Sequence, residues 1–428
     1  MKGWLSVCLM LFAVGAVLFA PAVSLGATST PLVSGTSYSV TALPSAGKIS
    51  AFNNSLELNC SKNNALVDSN KLLATDQSVY FTVYVPEGGS PDYQKYVLVS
   101  NIYKISVDPG TYLLYPGQLT LSYDANVSSA VADRLSIWYS PDVSVSGNVY
   151  EWDGSDNLNL GGTTSTTKHT VTAPFQFDSD GTGYYAVFLG QQVFKEFNAQ
   201  SDDAWSYPCV MPLWAKGMVE QLPVGSSVYF GLSDDANRLE FVTMMVKGLG
   251  LPLTRKPTSA SEQIFTDTFS GIDFYEADPE DIDSTYFGAG YSSASGYKIY
   301  DSNHMPVQYA ETAARNGIVS GYDDGEFKPQ NNITRQEAAA ILARVGNLKL
   351  SDDSDKVIES LEALFDDAGD IAPWAAASVL AAVQAKLIVG EPSSVPDSTK
   401  LEFNPNDNLT RAEAITLTYR LLKKLKKI

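Results

Sequence analysis

One short pattern recurs at an identical internal spacing, and it limits the possible fold more than any other feature of the chain. Phe327-Lys328-Pro329 is followed by Ile333-Thr334-Arg335-Gln336-Glu337, and 76 residues later Phe403-Asn404-Pro405 is followed by Leu409-Thr410-Arg411-Ala412-Glu413. The apolar positions that follow also agree, with Ala338, Ile341 and Val345 matching Ala414, Leu417 and Leu421. Ala338, Ile341, Leu342 and Val345 fall at the spacing of one helix face. Upstream, Gly317-Ile318-Val319-Ser320-Gly321 corresponds to Lys386-Leu387-Ile388-Val389-Gly390, and Phe265-Thr266-Asp267 to Phe365-Asp366-Asp367. A weaker copy lies 97 residues before the middle one, with Phe230, Asn237-Arg238-Leu239-Glu240 and the apolar Phe241, Met244 and Met245. Its upstream match is Trp214-Ala215 against Trp374-Ala375. Such repetition means supersecondary units that bury their faces against one another.

The box has a local physical reading. Thr-x-x-Glu ahead of an apolar run is a capping box: the hydroxyl accepts from the third helical amide and the carboxylate reaches back to the threonine amide. Asn237 is an acceptable cap in the weaker copy. Capping leaves the arginine unexplained, because a cation in the first turn opposes the helix dipole. Arg238, Arg335 and Arg411 all stand there. A guanidinium beside helix-start amides suits a carboxylate, which either a ligand or a nearby Asp or Glu could supply.

Ile318-Val319-Ser320-Gly321-Tyr322-Asp323-Asp324-Gly325-Glu326-Phe327-Lys328-Pro329 with the Thr-Arg-x-Glu box resembles the S-layer homology domain. The resemblance spans residues 197–428 as repeats at 197–253 (degenerate), 263–348 (with an insertion) and 362–426. Phe265 to Arg335 is 70 residues against 46 from Phe365 to Arg411, and residues 284–302 are expected to hold the excess as a loop. In the last repeat Thr399-Lys400-Leu401 replaces the Asp-Asp-Gly turn. The resemblance implies an all-α triple repeat, a helical pseudo-trimer. It further implies non-covalent attachment to secondary cell wall polysaccharide, acidic or pyruvylated, with the arginines lining grooves between repeats. Carried over residue by residue, the candidate polysaccharide-binding positions are Arg335, Arg411 and Arg238, with Asp324, Gly325, Gly321 and Gly390 in or before the adjoining loop.

Residues 28–195 have a different character, with period-two runs such as Ser78 to Val85 and Gln118 to Tyr123 between Gly, Pro and Asp turns. Many short strands of this kind predict an all-β sandwich region of one or two modules, with any break near Val107. Trp138, Tyr139, Tyr150 and Trp152 cluster there and could stack on sugar rings, or fill the core.

The first 27 residues read as a secretory signal peptide: Lys2, an apolar run from Trp4 to Ala20, Pro21, then small residues. No later segment is long and apolar enough to span a bilayer, so no membrane contact is expected after cleavage. Lys+Arg 29 against Asp+Glu 48 gives a net charge of −19, which excludes general nucleic-acid binding. Only 2 His argue against a His-rich metal site or a Ser-His-Asp centre. No cofactor is expected, and the acidic groups at Asp278, Glu280, Asp281 and Asp283, or Asp352, Asp353 and Asp355, offer at most weak calcium binding. Cys60 and Cys209 are read as two free thiols, a disulfide being the alternative. The expectation is a secreted cell-wall or S-layer protein that binds, with self-assembly as a further expectation, and is not an enzyme. The alternative is a wall-anchored carbohydrate-binding or hydrolase module in the β region.

Overall fold

The structure, a computed structural model, describes residues 32–428 apart from residues 42, 44–46, 62–63, 69, 71, 75–76, 87–95, 147–148, 152–157, 178–180, 192–193, 195–196, 198–203, 220–221, 225–226, 252–259 and 268–305. The expected signal segment, the loop at 284–302 and the acidic residues from Asp278 to Asp283 lie outside the described residues.

The N-terminal region is rich in sheet. A 7-stranded antiparallel sheet runs in the order Thr36–Thr41, Ser78–Tyr84, Ile102–Ser106, Thr182–Gly190, Leu135–Ser140 and Leu158–Gly161, with Tyr96–Leu98 also paired to Thr182–Gly190. A 5-stranded antiparallel sheet runs Thr163–Ser165, Thr170–Phe175, Gly117–Ser122, Leu56–Asn59 and Lys48–Ala51. Alternation decides which side chains enter the core. Val79, Phe81 and Val83 of one strand are fully buried and meet Leu56, Leu58, Leu119 and Leu121 of the other sheet in one cluster. Tyr80, between them, faces out. Strands before and after Val107 share both sheets.

The C-terminal region is helical: α1 (Tyr207–Ala215), α2 (Arg238–Leu249), α3 (Pro306–Arg315), α4 (Arg335–Val345), α5 (Ser354–Leu364), α6 (Pro373–Gln384) and α7 (Arg411–Lys424). It is not purely α: Leu222–Val224 pairs with Ser227–Tyr229, and Glu391–Pro392 with Leu401–Glu402. The second pair stands where Thr399-Lys400-Leu401 replaces the tight turn. The repeats share one core holding Phe230, Phe265, Phe327, Phe365 and Phe403. Phe265 packs on Phe327 at 5.3 Å between centroids, Phe365 on Phe403 at 5.5 Å and Phe194 on Phe230 at 4.6 Å. Phe194 stands to Phe230 as Phe265 and Phe365 stand to Phe327 and Phe403.

The Trp214-Ala215 match shifts. Gly217, Gly317 and Lys386 share the left-handed conformation at the end of α1, α3 and α6. Counting back equally from Gly217 and Lys386 sets Trp205, not Trp214, opposite Trp374. Trp205 and Trp374 are 52% and 60% exposed, whereas Trp214 is buried.

Trp214 does other work. It stacks on Tyr96 of the large sheet at 4.8 Å, 20° from parallel, and Ala215 lies where a side chain on Gly190 would collide. The buried Lys216 ammonium donates to the carbonyls of Leu135 and Gly162 at 2.7 and 2.6 Å, and burial pushes its pKa down to about 7. Thr163 donates to the Lys427 carbonyl at 2.7 Å. The sheets are thus seated on α1 and the end of α7. Cys60 and Cys209 are free and half-buried, and burial raises both thiol pKa values.

Candidate functional site

The three boxes meet in a closed ring of backbone hydrogen bonds. Ala236 N donates to Leu409 O at 2.8 Å, Leu409 N to Ile333 O at 2.9 Å and Ile333 N to Ala236 O at 3.0 Å. The helix-start amides are used between repeats as well: Arg238 N bonds Asn331 O, Arg335 N bonds Asp407 O and Arg411 N bonds Asp234 O. These are amides that a helix cannot satisfy within itself. Next to the ring in sequence, Asp235 Oδ2 accepts from the side-chain amides of Asn332 and Asn408, both at 2.7 Å. The boxes cap as their chemistry dictates. Thr334 with Glu337 and Thr410 with Glu413 form complete capping boxes, and Asn237 Oδ1 accepts from Glu240 N at 2.8 Å.

The arginines follow the same cyclic order. Arg238 Nε donates to Phe327 O at 2.9 Å and its Nη1 lies 3.2 Å from Glu337. Arg335 donates to Phe403 O at 2.8 Å and to Glu413 at 3.0 Å. Arg411 donates to Phe230 O at 2.6 Å and pairs with Glu240. Each arginine therefore reaches the phenylalanine carbonyl and the box glutamate of the next repeat, and the third returns to the first. The three are only 6%, 5% and 2% exposed. Charge-assisted bonds to the neighbour offset the unfavourable dipole position.

The other sequence-derived positions lie beside these junctions. Gly321 has φ +70°, and a Cβ there would stand 2.6 Å from Phe265; a Cβ on Gly390 would stand 2.6 Å from Phe365. Gly325, φ +79°, closes a turn whose carbonyl accepts from Thr266 N at 3.0 Å. Asp324 is exposed and pairs with Lys328 at 2.6 Å, which holds its carboxyl below the usual range. Asp353 caps α5, accepting from Lys356 N at 3.2 Å.

Several residues to which sequence reasoning gave no part in the site complete the junctions. Asp267 accepts from the amides of Phe327 and Lys328 at 2.8 and 2.7 Å, and Asp367 from those of Phe403 and Asn404 at 2.7 and 2.6 Å. Lys328, Asn404 and Gly231, each just after the box phenylalanine, share a left-handed backbone. Tyr322, just after Gly321, lies 4.4 Å under the Arg238 guanidinium and donates to Glu337 at 2.7 Å. Burial, with that bond, pushes its pKa up to about 12. Glu391, just after Gly390, takes the corresponding place and lies 3.6 Å from Arg335. The repeated Gly-x step could have revealed this pair.

Of the aromatic cluster in the sheet region, Tyr139 is buried against Tyr185, and Trp138 packs between Tyr96 and Phe188. The side chains of Tyr150 and Trp152 lie outside the described residues.

A cellulosome-anchoring protein of Acetivibrio thermocellus is 37% identical over 132 residues, 31% of this chain and 27% of that protein. Cell surface glycoprotein 1 of the same organism is 38% identical over 135 residues, 32% of this chain and 5% of that protein. An amylopullulanase of Thermoanaerobacterium thermosulfurigenes is 24% identical over 347 residues, 80% of this chain and 15% of that enzyme. The chain spans less than a third of the length of these relatives. The family described as S-layer homology domain matches residues 301–339 and 364–415, and this chain carries that domain.

Proposed function

We propose that this is a cell-surface protein held non-covalently to the cell wall through its three C-terminal repeats, presenting the sheet-rich region away from the wall. It acts as a binding and structural protein rather than an enzyme. The partner is secondary cell wall polysaccharide, met at the junctions between repeats. The observation that carries this reading is the cyclic junction: three equivalent Arg-Phe-Glu contacts around one ring, two of whose three boxes lie in the stretches matched by the S-layer homology family. The relatives named for anchoring and for the cell surface support the same reading. The sheets are seated on α1 and the end of α7. No helix among the described residues is long and apolar enough to cross a membrane.

In this reading the arginines form the inner wall of each junction and hold its shape. Residues on the outer edge, Tyr322, Lys328 and Asp324 at the first junction and Glu391 and Asn404 at the second, meet the polymer. The test is sedimentation of the chain with wall sacculi before and after acid stripping of the secondary polysaccharide. Binding lost on stripping is expected; binding that survives stripping overturns the polysaccharide reading.

A second reading concerns the sheet-rich region alone. The amylopullulanase alignment is longer than residues 196–428 and so extends into the sheets. A hollow of about 430 Å³ there is lined by Ser55, Ser100, Asn101, Tyr103, Tyr123 and Asp124. This region would then be a carbohydrate-binding module that the repeats deliver to the wall. Retention of the chain on wall glycans with the repeat junctions disabled would favour this reading.

A further inference from the structure

The first and second junctions are built on one plan but differ in charge at two facing positions. At the first, Tyr322 follows Gly321, and Lys328 is the left-handed residue after Phe327. The Lys328 ammonium lies 4.7 Å from the centre of the Tyr322 ring. At the second, Glu391 follows Gly390, and Asn404 is the left-handed residue after Phe403. Asn404 donates to Glu391 at 3.3 Å. The same two places touch each other in both repeats, as Tyr with Lys in one and Glu with Asn in the other. The exchange adds a carboxylate and removes an ammonium, two charges in the same direction.

The outcome at the arginine follows. Arg238 has the Glu337 carboxylate on one side and the neutral Tyr322 ring on the other, with Lys328 as a second cation at the edge. Lys328 is itself paired with Asp324 at 2.6 Å and lies 3.8 Å from Glu326, both exposed enough for an incoming anion to compete with them. Arg335 already meets two carboxylates, Glu413 and the half-exposed Glu391, and its Nη2 donates to Val389 O at 2.9 Å. An anion approaching the second junction meets Glu391 first, and like charges in contact suppress the wrong partner.

We propose that the two junctions select different sugars: the first accepts an anionic sugar unit, and Glu391 with Asn404 closes the second to anions, leaving it to neutral sugars. This rests on the anchoring reading above. Glu391 is the specificity-determining residue, and Lys328 its counterpart.

The test uses the full chain and calorimetric titration with an oligogalacturonate, with a neutral cello-oligosaccharide of the same length as control, at physiological ionic strength. Oligogalacturonate is expected to bind at the first junction and not at the second. Lys328→Asn should weaken that binding at least tenfold; the left-handed backbone tolerates Asn, as Asn404 shows. Glu391→Tyr with Asn404→Lys should raise the stoichiometry by one. Unchanged thermal unfolding of the Lys328→Asn variant guards against loss by misfolding. Undiminished binding by Lys328→Asn, or no added site in Glu391→Tyr with Asn404→Lys, overturns the proposal. Oligogalacturonate that fails to bind while sacculi still pellet the chain overturns it and leaves anchoring intact. Failure of both overturns the anchoring reading as well.

Discussion

Arg411, in the last repeat, is buried against Glu240 in the first, and its Nε holds the Phe230 carbonyl at 2.6 Å. The contact joins the two ends of the repeat array and makes a ring of what would otherwise be a row. Removing one member leaves a buried charge without its partner, which is strongly destabilising. Arg411→Ala should cost about 3–5 kcal/mol, and Glu240→Ala a similar amount. The double variant should cost clearly less than the two together, because each single change already breaks the pair. Urea denaturation followed by circular dichroism measures all three; additive losses would mean that the two residues act independently.

Gly321 and Gly325 separate two reasons for glycine. Both have positive φ, but only at Gly321 would a Cβ collide, 2.6 Å from Phe265; at Gly325 the nearest atom is 3.8 Å away. Gly325→Ala should cost about 1–2 kcal/mol from backbone conformation alone. Gly321→Ala should cost more, by an overpacking penalty of about 1–3 kcal/mol. Equal losses in thermal unfolding would remove the packing role of Phe265.

Tyr322 predicts an alkaline weakness. Its pKa in the folded chain is about 12, against about 10 for a tyrosine in an unfolded chain. The folded state holds this proton longer, so the stabilisation is complete below pH ~10 and is lost as pH rises from ~10 to ~12. Tyr322→Phe should make the stability profile shallower across that window. An unchanged slope would show that the tyrosine titrates normally.

Trp214 should govern whether the sheets and the repeats melt together. Its stack on Tyr96 and its edge contact with Phe194 at 5.0 Å bind it to both regions. The parent should show a single calorimetric transition. Trp214→Ala, a loss of about 3–5 kcal/mol, should lower it or split it in two. Two transitions already present in the parent would mean that the regions unfold independently.

Much of this fold is visible in the residues because the decisive interactions are local. Thr334 and Glu337 are three apart, so the cap and its helix can be read together. Val79, Phe81 and Val83 announce a half-buried strand in the same way. The partners of the arginines are not local: Arg335 bonds Phe403 and Glu413, 68 and 78 residues away. Sequence reasoning recognised that each arginine needed a carboxylate but could not choose between a ligand and the box glutamate of the next repeat. Trp214 misled for another reason. A Trp-Ala pair fits the repeat pattern, yet burial against Tyr96 gave this tryptophan to the sheets and left Trp205 in the place of Trp374. Tyr322 and Glu391 went unpaired because a tyrosine and a glutamate look unrelated until their common glycine step sets them on equivalent arginines.

Ring closure also sets an order of events for a chain synthesised from its N-terminus. Ala236 donates its amide hydrogen bond to Leu409 across most of the repeat region, and Arg411 meets Phe230 over a separation of 181 residues. Closing so long a segment is entropically slow. Glu240 and the Phe230 carbonyl must wait, without this partner, until the last box has emerged. A nascent or truncated chain that lacks its final helix would thus be a natural substrate for quality control. The closed ring would arrive all at once, with the last box, rather than accumulate repeat by repeat.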